Sequence, residues 1–222
     1  MADVPPIPAT VPTDLQLFAA AVAHEIRTPL SAAAGEAEIA LRRDRPAAEY
    51  RDALHRIAGA ISELVEISGD LTLLSEPIED IAGASRSAAL DAVLSKIRER
   101  YAGRDDVEIA AEPPPAAARV GGSERYLARA LTLIVEHAVR HRRAGARVAM
   151  RILAVTGSRV RLAVDAQPPG IWPRAWVTLQ GAADQPDAPL RLRTARRIVE
   201  GSGGAVVPAG ADAVHIELQR TA

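Results

Sequence analysis

Cysteine is absent from this 222-residue chain. That excludes disulfides, thiolate nucleophiles and thiolate metal sites, and it suits a reducing compartment. Aromatic residues amount to only 3%, so the core must be aliphatic, rich in Leu, Ile, Val and Ala, a composition suited to close-packed helices. No apolar run approaches the roughly 20 residues needed to span a bilayer. Met1–Pro12 carries an acid and four prolines rather than a basic segment before an apolar run; it reads as a disordered lead over 1–12, not a signal peptide. An excess of either charge is missing too: Lys+Arg 27 against Asp+Glu 28 gives a net charge of -1, so there is no global basic field for nucleic acid. The expectation is a cytoplasmic protein with neither a membrane nor a nucleic-acid partner.

What is present is a globular balance, 48% apolar and 25% charged. Thr13 or Asp14 can cap a helix after Pro12. From there Leu15, Phe18, Val22, Ile26, Leu30, Ala33, Ala37 and Ala40 recur every three or four residues, a continuous apolar stripe. Arg42–Pro46 interrupts it. Tyr50, Leu54, Ile57, Ile61, Leu64, Ser68 and Leu71 resume it. Two helices of about 30 residues, roughly 45 Å long, are predicted, paired antiparallel through a short turn. Two lone helices cannot bury this much apolar face between themselves. A second copy would complete a four-helix bundle, so a homodimer through residues 14–75 is expected.

The composition shifts after Leu74. Residues 87–101 read as an amphipathic helix and Val107–Ala110 as a short strand. Ser123 caps a further helix carrying Leu127, Leu131, Ile134, Val135 and Ala138. Arg147–Val155 and Arg159–Asp165 form a hairpin around Thr156-Gly157-Ser158. A helix over about Pro189–Glu200 ends at Gly201, and strands at 205–207 and 213–218 close the chain. The fold class is therefore α+β: an antiparallel helical hairpin over 13–76, then an α/β sandwich over 85–222 with helices on one face of a sheet.

Chemistry concentrates in His24-Glu25-Ile26-Arg27-Thr28-Pro29-Leu30. At 100° per residue, His24 lies opposite the apolar stripe, Thr28 shares its exposed side one turn later, and Glu25 flanks it. Pro29 strips the carbonyl of Glu25 of its intrahelical partner and is expected to bend the helix. An exposed imidazole nitrogen is a competent nucleophile or phosphoryl carrier. A neighbouring carboxylate can take the proton of the other ring nitrogen, and a hydroxyl one turn on can position a water. The bland alternative is a solvated surface histidine.

Phe18–Leu41 resembles the phosphoacceptor box of bacterial two-component sensor histidine kinases, whose core is H-E-[ILVF]-R-T-P-L; all seven positions match. The second region is similar to the ATP-binding domain of that family. The resemblance implies that His24 is phosphorylated, that Glu25 is its acid/base partner and that Thr28 is the phosphatase-type residue.

The nucleotide motifs are altered. The family's N-x-x-x-N-A helix carries a Mg²⁺-holding Asn; Leu133 and His137 stand at its two Asn positions, leaving Glu136 as a ligand on the neighbouring face. Imidazole is a poor Mg²⁺ ligand. The D-x-G-x-G box corresponds to Asp165-Ala166-Gln167-Pro168-Pro169-Gly170-Ile171. Counting back from Gly170 puts Ala166 where the adenine-reading Asp belongs, and Asp165 serves only if the loop has gained a residue. Pro189-Leu190-Arg191-Leu192 replaces G-L-G-L, whose glycines let backbone N–H groups approach phosphates at a helix N-terminus. Arg191 and Arg193 remain as cations for phosphate, and 172–188 is short for a lid. His137 and His141, four apart beside Glu136, invite a metal reading, but the altered box accounts for them and no metal is expected.

The resemblance is therefore closest to ChpT-type histidine phosphotransferases. The implied function is a phosphorelay step in which His24 carries phosphate between receiver-domain aspartates of response regulators, with no cofactor. Two alternatives stand beside it. One is an active soluble kinase that phosphorylates His24 from ATP and Mg²⁺. The other is a non-catalytic dimeric scaffold for response regulators.

Overall fold

The computed structural model describes residues 14–77, 87–110, 118–167, 189–209 and 213–221. Helix α1 runs from Asp14 to Leu41 and α2 from Ala47 to Ser75, antiparallel neighbours joined by a short turn. Arg45 fastens that turn, donating to Glu49 at 3.0 Å and to the Ile39 carbonyl at 3.0 Å. Helix α1 continues through Pro29, whose ring is buried. An interior proline costs a helix about 3 kcal/mol, and burial of the ring offsets part of that. The caps expected at Thr13 and Asp14 lie outside the described side chains.

The apolar stripe is only partly covered within one chain. Leu30, Leu54, Ile61 and Val65 are exposed by 55%, 64%, 51% and 67%. The last three sit at spacings of seven and four, so they form one face of α2.

The second region is a seven-stranded sheet with helices on one face. Its elements are β1 (Ser87–Ala89), α3 (Leu90–Arg100), β2 (Val107–Ala110), β3 (Arg119–Gly121), α4 (Glu124–His141), β4 (Arg147–Val155), β5 (Arg159–Gln167), α5 (Leu190–Gly201), β6 (Ala205–Pro208) and β7 (Ala213–Thr221). The strand order is β1-β3-β7-β5-β4-β2, and β6 also pairs with β7. Among the described strands only β2 and β4 pair in parallel. The β4–β5 turn closes through Thr156, whose N–H donates to the Arg159 carbonyl and whose hydroxyl accepts from the Arg159 N–H.

Strand alternation decides which side chains enter the core. Val160, Leu162, Val164 and Ala166 of β5 face the helices, as do Val214, Ile216 and Leu218 of β7. They meet Leu94 and Ile97 of α3, Leu127, Leu131 and Ile134 of α4, and Ile198 and Val199 of α5. Full burial of each large aliphatic side chain contributes about 2 kcal/mol. The far face of the sheet is polar, with Arg159 and Arg161 both paired to Glu217.

Two local expectations change. The helix read over 87–101 begins at Leu90, because Ser87–Ala89 pairs with Arg119–Gly121 as a strand. Three-residue strands are too short to show a period of two. Ser123 sits at the N-cap of α4 without a side-chain capping bond. Gly122 precedes it with φ 106, and a Cβ there would lie 2.8 Å from the Cβ of Ser202. A glycine is thus required where this turn meets the end of α5.

Candidate functional site

His24 and Thr28 are both exposed on α1, one turn apart. The Thr28 hydroxyl donates to the His24 carbonyl at 3.2 Å. Glu25 is half-buried and turned toward the second region: its Oε1 accepts the backbone N–H of Leu190, the first residue of α5, at 2.6 Å. Burial pushes the Glu25 carboxyl above its ordinary range, against the opposing pull of the Leu190 N–H and the charges of Arg191 and Arg140. Also across the boundary, the Arg193 guanidinium of α5 lies 4.7 Å from the ring centroid of Phe18 on α1, a cation–π contact.

The residues at the expected nucleotide site are brought together, but around one another. Arg191 is buried at 7% exposure. Its guanidinium donates to Glu136 Oε2 at 2.9 Å and to Glu63 Oε1 at 3.0 Å. Glu136 Oε1 accepts from Arg100 at 2.6 Å. Both carboxylate oxygens of the candidate Mg²⁺ ligand are therefore engaged by arginines. His137 is buried with its ring 4.3 Å from that of His141. Burial, then the charges of His141 and Arg140, push its pKa down to about 3, so the ring is neutral at pH 7. No group of three or more His, Cys, Asp or Glu suited to a metal occurs among the described residues.

Asp165 lies on the sheet face away from the helices, paired to Arg151 of β4. Ala166, the next residue, faces inward and is buried. The strand alternation thus turns the carboxylate away from the helix layer. Gly170 lies outside the described residues, as do 172–188.

An acidic stripe on α2 emerges that the sequence reading passed over. Glu63, Glu66 and Asp70, spaced three and four apart, share one helical face. Arg140 donates to Glu63 at 2.8 Å. Arg100 donates to Glu66 at 3.1 Å. Arg129 grips the fully buried Asp70 with two N–H groups at 3.0 and 2.7 Å. Burial raises the Asp70 carboxyl above its ordinary range, with Arg129 pulling the other way. Glu66 feels the same burial, but the bond from Arg100 and the charges of Arg129 and Arg191 outweigh it and hold its carboxyl low. Ion pairs join the hairpin to the sandwich, alongside the apolar contact that Leu73 of α2 makes with the sandwich core. The signal was the i, i+3, i+7 spacing of acids on α2, which alone reads as a solvated face.

Comparison with known proteins bears on the hairpin first. Residues 14–79 match the His Kinase A (phospho-acceptor) domain. The chain is 28% identical over 206 residues to the adaptive-response sensory kinase SasA of Parasynechococcus marenigrum, covering 83% of this chain and 50% of SasA. It therefore spans half the length of that relative. Among solved structures it is similar to the Acinetobacter baumannii histidine kinase AdeS, with TM-score 0.60 and 16% identity over 89% of this chain and 97% of AdeS. A bacterial phosphotransferase aligns with TM-score 0.50 and 16% identity over 96% of this chain and 100% of its own. The solved structures carry the fold. Residues 14–79 thus carry the His Kinase A (phospho-acceptor) match, and over most of its length the chain is similar to a curated sensory kinase.

Proposed function

We propose that the chain is a histidine phosphotransferase of a two-component phosphorelay, carrying a phosphoryl group on His24 between receiver-domain aspartates while binding little or no ATP. The observation that carries this reading is the Arg191–Glu136 pair. It bridges α5 and α4, the two helices between which the family resemblance puts the triphosphate and its metal. A nucleotide entering there would have to break that pair and the Arg191–Glu63 pair without the backbone donors that the missing glycines would supply.

In the forward step a ring nitrogen of His24 attacks phosphorus on the receiver's aspartyl phosphate. The P–O bond to the aspartate breaks, its carboxylate leaves, and an N–P bond forms. The proton on the other ring nitrogen is shared with Glu25. Thr28 acts in a separate hydrolytic step, positioning water that attacks the receiver's acyl phosphate, so that the aspartate leaves and inorganic phosphate is released. The protein works as a homodimer through residues 14–75, whose uncovered Leu54, Ile61 and Val65 would be buried in a four-helix bundle. No described helix is long and apolar enough to cross a membrane, in keeping with a cytoplasmic relay partner.

The intact H-E-I-R-T-P-L heptapeptide favours one second reading, an autokinase using ATP and Mg²⁺. Incubation with γ-labelled ATP and Mg²⁺ separates the two: label on His24 overturns the proposal. Incubation with a phosphorylated receiver domain must label wild type and leave His24→Ala unlabelled. Binding of the receiver without transfer would leave a scaffold.

A further inference from the structure

We infer that the first turn of α5 is a positioning element for the chemistry at His24: the backbone N–H of Leu190 fixes the Glu25 carboxylate from across the domain boundary. The inference rests on the reading of His24 as the phosphoryl carrier and assigns the altered second domain a direct part in it.

Three observations converge on this contact. The bond is short, 2.6 Å, and joins residues 165 apart in sequence, so it exists only when the two regions are docked. Helix α5 is 12 residues long, and its first N–H groups have no intrahelical acceptor. The N-cap is Pro189, which makes no side-chain cap, so a carboxylate from α1 takes the place of a local one. Finally, the docking is held independently on both sides of the bond. Arg191, one residue on, is anchored to Glu63 of α2, and Arg193 covers the ring of Phe18 on α1. The family resemblance puts a nucleotide phosphate at this helix end. Here a protein carboxylate lies against it, and the same physics that favours an anion there orients the side chain adjoining the phosphoryl carrier.

The ionisation of Glu25 is set by its surroundings on every side. Burial raises its pKa; the Leu190 N–H, Arg191 of α5 and Arg140 of α4 lower it; Asp70 of α2 raises it. Removing the N–H alone must shift Glu25 toward its protonated form.

Leu190→Pro performs that deletion. Proline is tolerated at the first helical position, and Pro189 already has the extended backbone, φ -52 and ψ 133, that a residue before proline requires. Leu190→Ala is the control, since it loses the buried side chain but keeps the N–H. The probe is phosphoramidate, whose N–P bond breaks as the imidazole N–P bond forms and ammonia leaves. Phosphohistidine is followed by ³¹P NMR from pH 5 to 9 on the full chain. The acid limb of the rate profile should move up by about one pH unit in Leu190→Pro relative to Leu190→Ala, and that difference should vanish when Glu25→Gln is added to both. Superimposable limbs in the proline and alanine variants overturn the inference while leaving His24 as the carrier. No phosphohistidine in wild type sinks the carrier reading itself. A second readout needs no folded proline variant: the Leu190 amide proton of wild type should titrate with Glu25. An amide shift independent of pH over that range would equally overturn the inference.

Discussion

Arg191 reaches Glu136 at 2.9 Å and Glu63 at 3.0 Å from one guanidinium, so a single buried cation ties α5 both to α4 and to the hairpin. Removing one member of such a cluster leaves uncompensated charge behind, which costs far more than the pair's net worth. Arg191→Met should therefore destabilise the protein by about 3 kcal/mol in urea unfolding. Adding Glu136→Gln to Arg191→Met should cost less than the two single changes summed, with a coupling of about 1 kcal/mol or more. Strict additivity would mean that the two groups do not sense each other.

His137 predicts an acid sensitivity. Its folded pKa is depressed to about 3, whereas an unfolded histidine titrates near 6.5. The folded state therefore binds fewer protons between those values. Stability from this site is complete above about pH 6.5 and falls as pH drops toward 3. Between pH 7 and pH 5 wild type should lose about 2 kcal/mol that His137→Gln retains. Glu25 and Asp70, both raised by burial, act in the opposite sense: their contribution is largest at low pH and is lost as pH rises through their folded pKa values. Melting curves of the two proteins at pH 7 and 5 decide the matter, and parallel losses would exonerate His137.

The uncovered face of α2 predicts an oligomer that charge can break. Leu54 and Ile61 are exposed by 64% and 51% in the single chain. Leu54→Lys with Ile61→Lys should convert the proposed homodimer to a monomer in sedimentation velocity, with the far-UV spectrum preserved. If the double variant sediments like wild type, the dimer lies elsewhere.

Exposure separates the roles of His24 and Thr28 from stability. His24→Ala should change the unfolding free energy by no more than about 0.5 kcal/mol while abolishing phosphoryl uptake from a labelled receiver. Thr28→Ala removes a hydroxyl that bonds only the His24 carbonyl among the described contacts. It should leave uptake within a few-fold of wild type and slow loss of phosphate from the receiver. Loss of uptake instead would move Thr28 into the forward step.

Much of the architecture was legible because period reports environment. The apolar spacing of three and four places the hairpin, and the alternation from Val160 through Ala166 places the sheet face. The same alternation puts Asp165, between Val164 and Ala166, on the sheet face away from the helices. The strands at Ser87–Ala89 and Arg119–Gly121 were not legible, because three residues carry no period and their pairing depends on contacts 30 or more positions away. Glu25 was readable as a neighbour of His24 but not as a partner of Leu190, since nothing local encodes a bond across 165 residues. The acids of α2 posed the same problem. Glu63, Glu66 and Asp70 take meaning only from arginines at 100, 129, 140 and 191.

That acid-to-arginine seam makes the two halves of the chain a matched set. A hairpin transplanted from a relative with neutral residues at the positions of Glu63, Glu66 and Asp70 would strand the buried Arg191 and the half-buried Arg129 on the sandwich, however well its own helices folded. A working chimera has to carry the acids of α2 and the arginines of α3, α4 and α5 together.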